Sequence, residues 1–237
     1  MLITEIYRSV QGESSYTGLP CIFVRLTGCN LRCSWCDSEY TFTGGRRMAQ
    51  DEVMAEVRAC GPAQLVEITG GEPMLQEREL LPLMKRLIGE GYKVLMETSG
   101  ERPLANVPAQ VVKIVDVKCP GSGEGGKFRP ENLTALNAQD ELKFVIAGRE
   151  DYDFAREFMR AHGLVIDSER DTALSPHPVA NIIFSPAFRK DAAGARDSSH
   201  CLVDPRELVD WILADHLNVR IGLQIHKFIW DPSTKTV

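Results

Sequence analysis

The chain has 237 residues, 43% hydrophobic and 25% charged, enough for one large α/β domain or two small ones. A net charge of −6 at pH 7 argues against a protein held to nucleic acid by phosphate neutralisation, and no uncharged run is long enough to span a bilayer. The opening residues MLITEIYRSVQGE lack the apolar core of a signal peptide, so the expected setting is the cytoplasm, where seven cysteines stay reduced.

No internal repeat or low-complexity tract interrupts the chain. Residues 9–14 (SVQGES) stand ahead of the first predicted strand, so any functional role for residues 1–20 is expected on the substrate side. That strand, 21–28 (CIFVRLTG), delivers the chain into a C-x3-C-x2-C loop of Cys29, Cys33 and Cys36. Three thiolates on so short a loop suit one inorganic centre. Zinc would want a fourth Cys or His in paired spacing, and neither the remaining cysteines nor any of the five histidines provides it. A four-iron cluster normally takes four cysteines, so three would leave one iron with an open position, which is a place for chemistry.

Helical periodicity follows over 51–60, with Gln50 or Asp51 as the start signal, and then a strand over 65–71 ends in Thr69, Gly70, Gly71, Glu72 and Pro73. Alone, that Gly-Gly-Glu-Pro stretch is an ordinary turn. A helix over 77–90 leads to a strand over 92–100 ending in Glu97-Thr98-Ser99-Gly100, and a further strand over 111–118 ends in Asp116-Val117-Lys118. Four glycines within 121–128 predict a mobile loop or a close approach to a ligand. A strand over 141–148, a helix over 151–162 and a strand over 181–186 come next. Residues 187–203, rich in Ala, Gly, Ser and charge, read as an exposed insertion. Asp204 and Pro205 cap a helix over 205–217, and a last strand over 219–226 is closed by Gln224, His226 and Lys227. Strands alternating with helices predict right-handed crossovers and a largely parallel sheet, with the site at the carboxyl ends of its strands. The expected architecture is an incomplete parallel β/α barrel in a single domain spanning 1–237.

The cysteine spacing, with Trp35 before the last cysteine, resembles the radical S-adenosylmethionine (SAM) superfamily. The resemblance implies a [4Fe-4S] cluster on Cys29, Cys33 and Cys36 whose open iron is chelated by the methionine end of SAM. It assigns Trp35, Gly70, Gly71, Glu72, Ser99, Asp116 and Lys118 to the cofactor, Ser99 holding its carboxylate or ribose. Glycines suit this role because they let backbone carbonyls approach an ammonium group. SVQGE, FVRLTGCNLRCSWCDS, ITGGEP, ETSG, DVKCP and LQIHKF together resemble the 7-carboxy-7-deazaguanine synthase family, over nearly the whole chain except 121–139 and 187–203. That resemblance implies ring contraction of 6-carboxy-5,6,7,8-tetrahydropterin with loss of ammonia. It further implies a magnesium ion on Ser38, a homodimer, and flavodoxin as electron donor. Substrate contacts are expected from Val10, Gln11, Gly12, Glu13, Thr69, Gln224 and His226, with Arg25 taking the carboxylate through its fork. In some relatives a terminal Pro carboxylate helps hold the pterin; Pro232 has the matching spacing, but five residues follow it. Two other readings are a superfamily activase acting on a partner's glycine, which gives no use for Gln11, Arg25 and 224–227, and a non-catalytic metal-stabilised module, which gives none for the strand-end motifs.

Overall fold

The computed structural model describes residues 1–164, 181–190 and 198–237. Its strands are β1 (Leu2–Val10), β2 (Pro20–Leu26), β3 (Arg46–Arg47), β4 (Leu65–Gly70), β5 (Lys93–Thr98), β6 (Val112–Asp116), β7 (Glu141–Ile146), β8 (Asn181–Pro186) and β9 (Arg220–Ile221). Among the described residues they form one nine-stranded sheet in the order β3-β1-β2-β4-β5-β6-β7-β8-β9. From β2 to β9 every pairing is parallel, and the sheet does not close on itself. This is the expected incomplete β/α barrel, with helices α1 (Gln50–Ala59), α2 (Glu77–Gly89), α3 (Arg149–Ala161), α4 (Pro205–Ala214) and the short α5 (His226–Ile229).

Period-2 alternation sorts the side chains of the strands. Ile22, Val24 and Leu26 of β2, Val66 and Ile68 of β4, Val94 and Met96 of β5, and Leu142, Phe144 and Ile146 of β7 point into the main apolar core with the helices. Each such fully buried side chain stabilises the fold by roughly 1.5–3 kcal/mol. The alternate residues, among them Arg25, Glu67, Thr69, Glu97, Asp116 and Lys143, line a cavity on the concave side. The crossover helices therefore leave one face of an all-parallel stretch polar, and the site is built there.

Several expectations require correction. The sheet begins earlier than residue 21: β1 runs antiparallel along β2 with Tyr7 opposite Phe23, their rings stacked at 5.1 Å. The final strand is only Arg220–Ile221; Gln224 lies beyond it and His226 and Lys227 open α5, tied back where Ile225 N donates to Gly12 O at 3.0 Å. Helix α1 starts from Ala49 rather than from a Gln50 or Asp51 cap, its N–H donating to Glu52 Oε2. Asp204 and Pro205 behave as expected, Asp204 accepting from Arg206 N at 2.8 Å. The ends of the predicted insertion are only partly exposed: Arg189, Lys190, Ser198 and Ser199 face solvent, but Ala187, Phe188 and Cys201 are buried, and Leu202 N donates to Ala187 O at 2.7 Å. Residues 191–197, the rest of that prediction, lie outside the described residues.

Candidate active site

The chain leaves β2 at Leu26 and enters the cysteine loop, which the segment after β6 holds from outside. Ser34 N donates to Ser122 O at 2.9 Å, Ser34 Oγ to Gly121 O at 3.2 Å, and Arg32 N to the Glu124 carboxylate. The glycine-rich stretch, expected to be mobile, close to a ligand or a plain surface loop, is instead a clamp whose 3-10 turn Pro120–Ser122 contacts the cysteine loop. Cys29, Cys33 and Cys36 are partly exposed free thiols on the wall of one cavity of about 510 Å³. The chain's other cysteines do not line it. Among the described residues no three His, Cys, Asp or Glu side chains close on a single point that could hold one ion. A cubane needs no such point, because each thiolate binds a different iron; the donor set fits a cluster and lacks the fourth ligand of zinc.

Next to this loop, β4 ends in Gly70-Gly71. A β-carbon on Gly71 would stand 2.1 Å from Gly28 O and 2.8 Å from Cys29 Cβ, so the two loops lie in backbone contact only because residue 71 has no side chain. Beyond β6, Asp116 Oδ2 accepts from Lys118 Nζ at 2.6 Å, while Asp116 Oδ1 is buried with no partner. Burial opposes the charge on Lys118, but Asp116 outweighs it and raises the ammonium's pKa. An unpaired carboxylate oxygen on a cavity wall is an acceptor for a cationic group such as an α-ammonium. Trp35 and Ser99 also line the cavity. Ser99 Oγ donates its hydrogen to Glu72 Oε2 at 2.7 Å, so it has only lone pairs to offer and suits a ribose hydroxyl, not a carboxylate.

Glu72 is not in the cavity wall. It is 1% exposed, and its carboxylate accepts from Met74 N, Thr98 Oγ1, Ser99 N and Ser99 Oγ at 2.7–3.0 Å. The expectation that it touches the cofactor gives way to a positioning role, because its oxygens are saturated and tie the end of β4 to the end of β5.

The same cavity is lined by Val10, Gln11, Gly12, Glu13, Arg25, Thr69, Gln224, His226 and Pro232. Arg25 Nε donates to Glu5 Oε1 at 2.8 Å and Nη2 to the Tyr7 hydroxyl at 2.9 Å, so its side-on fork is occupied and only the end of the guanidinium faces a ligand. Tyr40 OH donates to the same Glu5 oxygen at 2.8 Å. Gln11 Oε1 accepts from the backbone of Glu13 and Ser14, and its Nε2 donates to Glu67 at 3.0 Å. Lys143 Nζ reaches Glu13 Oε2 at 2.8 Å and also binds Glu97. Burial pushes the Glu13 carboxyl up, but Lys143 and His226 more than offset it and hold it at about 2. Burial lowers the pKa of His226 against the pull of Glu13.

Ser38 lies on the wall with Oγ 3.8 Å from Cys36 Sγ. Its neighbour Asp37 accepts from Lys227 Nζ at 2.7 Å and Gln224 Nε2 at 3.3 Å, binding the cysteine loop to the carboxyl-terminal segment. After Pro232 the chain does not leave: residues 233–237 run along the cavity, with Lys235 Nζ 4.4 Å above the Tyr40 ring. Sequence reasoning missed Tyr7, Asp37, Tyr40, Glu67 and Lys143 as wall residues. For Glu67 and Lys143 the available signal was a charge at an alternate position inside an apolar strand, as in LVEIT and ELKFVI.

An open parallel barrel with three thiols at the mouth and a glycine turn against them defines a radical SAM protein, and the sequence model of the radical SAM superfamily matches residues 23–117. The chain is 69% identical over 237 residues, the full length of both, to the 7-carboxy-7-deazaguanine synthase of Koribacter versatilis. It is 38% identical to that of Chlorobaculum tepidum, over 99% of this chain and 96% of the relative. The crystal structure of QueE from Escherichia coli shares the fold at TM-score 0.68 and 23% identity, covering 94% of this chain and 92% of that one. The chain belongs to the 7-carboxy-7-deazaguanine synthase family.

Proposed function

We propose that this chain converts 6-carboxy-5,6,7,8-tetrahydropterin to 7-carboxy-7-deazaguanine with release of ammonia, as a radical SAM carbon–nitrogen lyase of the queuosine pathway. The observation that carries this reading is one cavity whose lining combines the three-thiol loop with Gln11, Glu13, Arg25 and His226. When bound, the [4Fe-4S] cluster and SAM supply a 5′-deoxyadenosyl radical that removes a substrate hydrogen atom. The protein's part is placement. Cys29, Cys33 and Cys36 hold the cluster. Gly70 and Gly71 admit the methionine end, with Asp116 Oδ1 as acceptor for its ammonium and Lys118 beside it as counter-charge for its carboxylate. Ser99 accepts from the ribose, and Thr69 sits between the cofactor and pterin sides. Gln224 and His226 close over the substrate, and Pro232 borders it with side chain and backbone, not with a terminal carboxylate.

Magnesium is part of the proposal. Ser38 Oγ is one neutral oxygen, and magnesium ordinarily completes its octahedron with water and substrate oxygens. A pterin carboxylate between Arg25 and Ser38 would serve both. The whole chain is read as one domain acting in the cytoplasm as a homodimer, with flavodoxin delivering the electron; no described helix is long and apolar enough to cross a membrane.

Anaerobic reconstitution is expected to give about four irons per chain, followed by conversion of the pterin on reduction with SAM and magnesium. A reconstituted protein that cleaves SAM but yields no deazaguanine would sink the lyase reading. Arg25→Ala is expected to raise KM for the pterin by about 1.5–3 kcal/mol, roughly ten- to hundred-fold, with the cluster absorbance unchanged. Arg25→Lys keeps a charge beside Glu5 and separates lost recognition from a damaged fold. Wild-type affinity in both variants would remove Arg25 from the substrate site.

A further inference from the structure

Glu67 is an acid where a parallel strand ordinarily carries an apolar residue. Its register partners are Phe23 on β2 and Leu95 on β5, it is 3% exposed, and it lines the cavity. Among the described residues its carboxyl accepts one hydrogen bond, from Gln11 Nε2 at 3.0 Å. The groups facing it are Glu97 from β5, Glu13 from the segment after β1, Lys143 from β7, Tyr7 from β1 and the Cys21 thiol from β2. The nearby ammonium is already engaged, because Lys143 bridges Glu13 and Glu97. Three carboxyls around one ammonium in a buried site leave surplus negative charge, which a proton on one acid halves. Glu67, without an ion-pair partner, is the acid to hold it. Burial, and then the charge of Glu97, push its carboxyl up to about 8.

The proposed reaction needs such a group, and the inference rests on that reading. Pterin and product differ by one ammonia and by no net electrons. A ring carbon must lose a proton as the five-membered ring becomes aromatic, and the departing nitrogen must gain one. We propose that Glu67 is a further catalytic residue, giving its proton to the nitrogen that leaves as ammonia and recovering one from the ring carbon. In this step the Glu67 O–H bond breaks with its electron pair kept on oxygen, and the C–N pair goes to nitrogen. Nitrogen binds the Glu67 proton. The resulting carboxylate then accepts the carbon-bound proton, whose electron pair enters the ring, so the acid is restored each cycle.

The test is Glu67→Gln in the reconstituted enzyme, an isostere that still accepts from Gln11 but has no proton to transfer. Its kcat is expected to fall by about 10²–10⁴-fold, the usual range for a lost general acid, with KM for the pterin unchanged. Hydrogen transfer from deuterated substrate to the cofactor is expected to persist. Wild-type kcat/KM, which reports the free enzyme, should decline as pH rises through about 8, where Glu67 loses its proton, and the variant should lack that limb. In the substrate-free wild-type protein at neutral pH, infrared spectroscopy should show the carbonyl band of a protonated carboxyl that Glu67→Gln abolishes. A variant with wild-type kcat and an unchanged pH profile overturns the proposal and leaves Glu67 as a brace for Gln11. A wild-type enzyme that does not turn over the pterin overturns the substrate reading, and the proposal with it.

Discussion

Lys143→Met is expected to destabilise the protein by about 3–5 kcal/mol near neutral pH, the range for removing one partner of a buried charge pair. The Lys143 side chain is 4% exposed, and its ammonium lies between Glu13 and Glu97. Methionine fills the stem's volume but leaves Glu13 and Glu97, beside the protonated Glu67, without the ammonium that bridged them. In the wild type the Glu13 carboxyl is held at about 2, below its ordinary 4.5. A depressed carboxyl stabilises the fold above its unfolded value and loses that contribution as pH falls through the folded one. Without Lys143 that depression disappears, and burial favours the protonated acids. The gap between wild type and variant should therefore be widest near neutral pH and shrink as pH falls below about 5. Urea denaturation at the two pH values measures it, and equal gaps would refute the account. Adding Glu97→Gln to Lys143→Met should recover part of the loss, since it removes one of the stranded charges.

Gly71→Ala is expected to lower iron incorporation and turnover together, by about a hundredfold or more for turnover if catalytic geometry shifts by an ångström. The added carbon would meet Gly28 O at 2.1 Å, a backbone atom at the entrance of the cysteine loop, so the loop itself must move. Overpacking of this kind ordinarily costs about 1–3 kcal/mol. Gly89→Ala is the control: nothing lies within 4 Å of its β-carbon at the end of α2, and the change is expected to be neutral or to stabilise by about 0.4–1 kcal/mol. Iron content after reconstitution, with melting temperature beside it, distinguishes a displaced loop from general unfolding. A Gly71→Ala protein with full iron and full activity would mean the two loops need not touch.

The thiol loop, the strand-end glycines and the rhythm of strands and helices were legible because each depends on residues close in sequence. Spacing fixes how Cys29, Cys33 and Cys36 sit on one loop, and alternation of apolar runs fixes a parallel sheet. The short last strand was misread because VRIGLQIH has strand-like composition while its second half is held by Gly12 O and opens a helical turn. Strand β1 escapes a periodicity reading because LITEIYRSV mixes charge with apolar residues, as a half-covered strand does that pairs with β3 only at Leu2 and Ile3. Glu72 was assigned to the cofactor by its place in a motif, and only contacts with Thr98 and Ser99 one strand away show that its oxygens are saturated.

By itself, then, the sequence determined the three-cysteine loop, the parallel α/β class and the family, since those follow from local spacing and from motifs that keep their order along the chain. The tertiary structure decided which charges share the cavity. Glu13, Glu67, Glu97 and Lys143 are as much as 130 residues apart, counted from Glu13 to Lys143, and their ionisation depends on distance and burial that no local pattern encodes. It also decided that the glycine-rich stretch clamps the cysteine loop and that residues 233–237 run along the site, because both depend on which surfaces meet after the sheet curls.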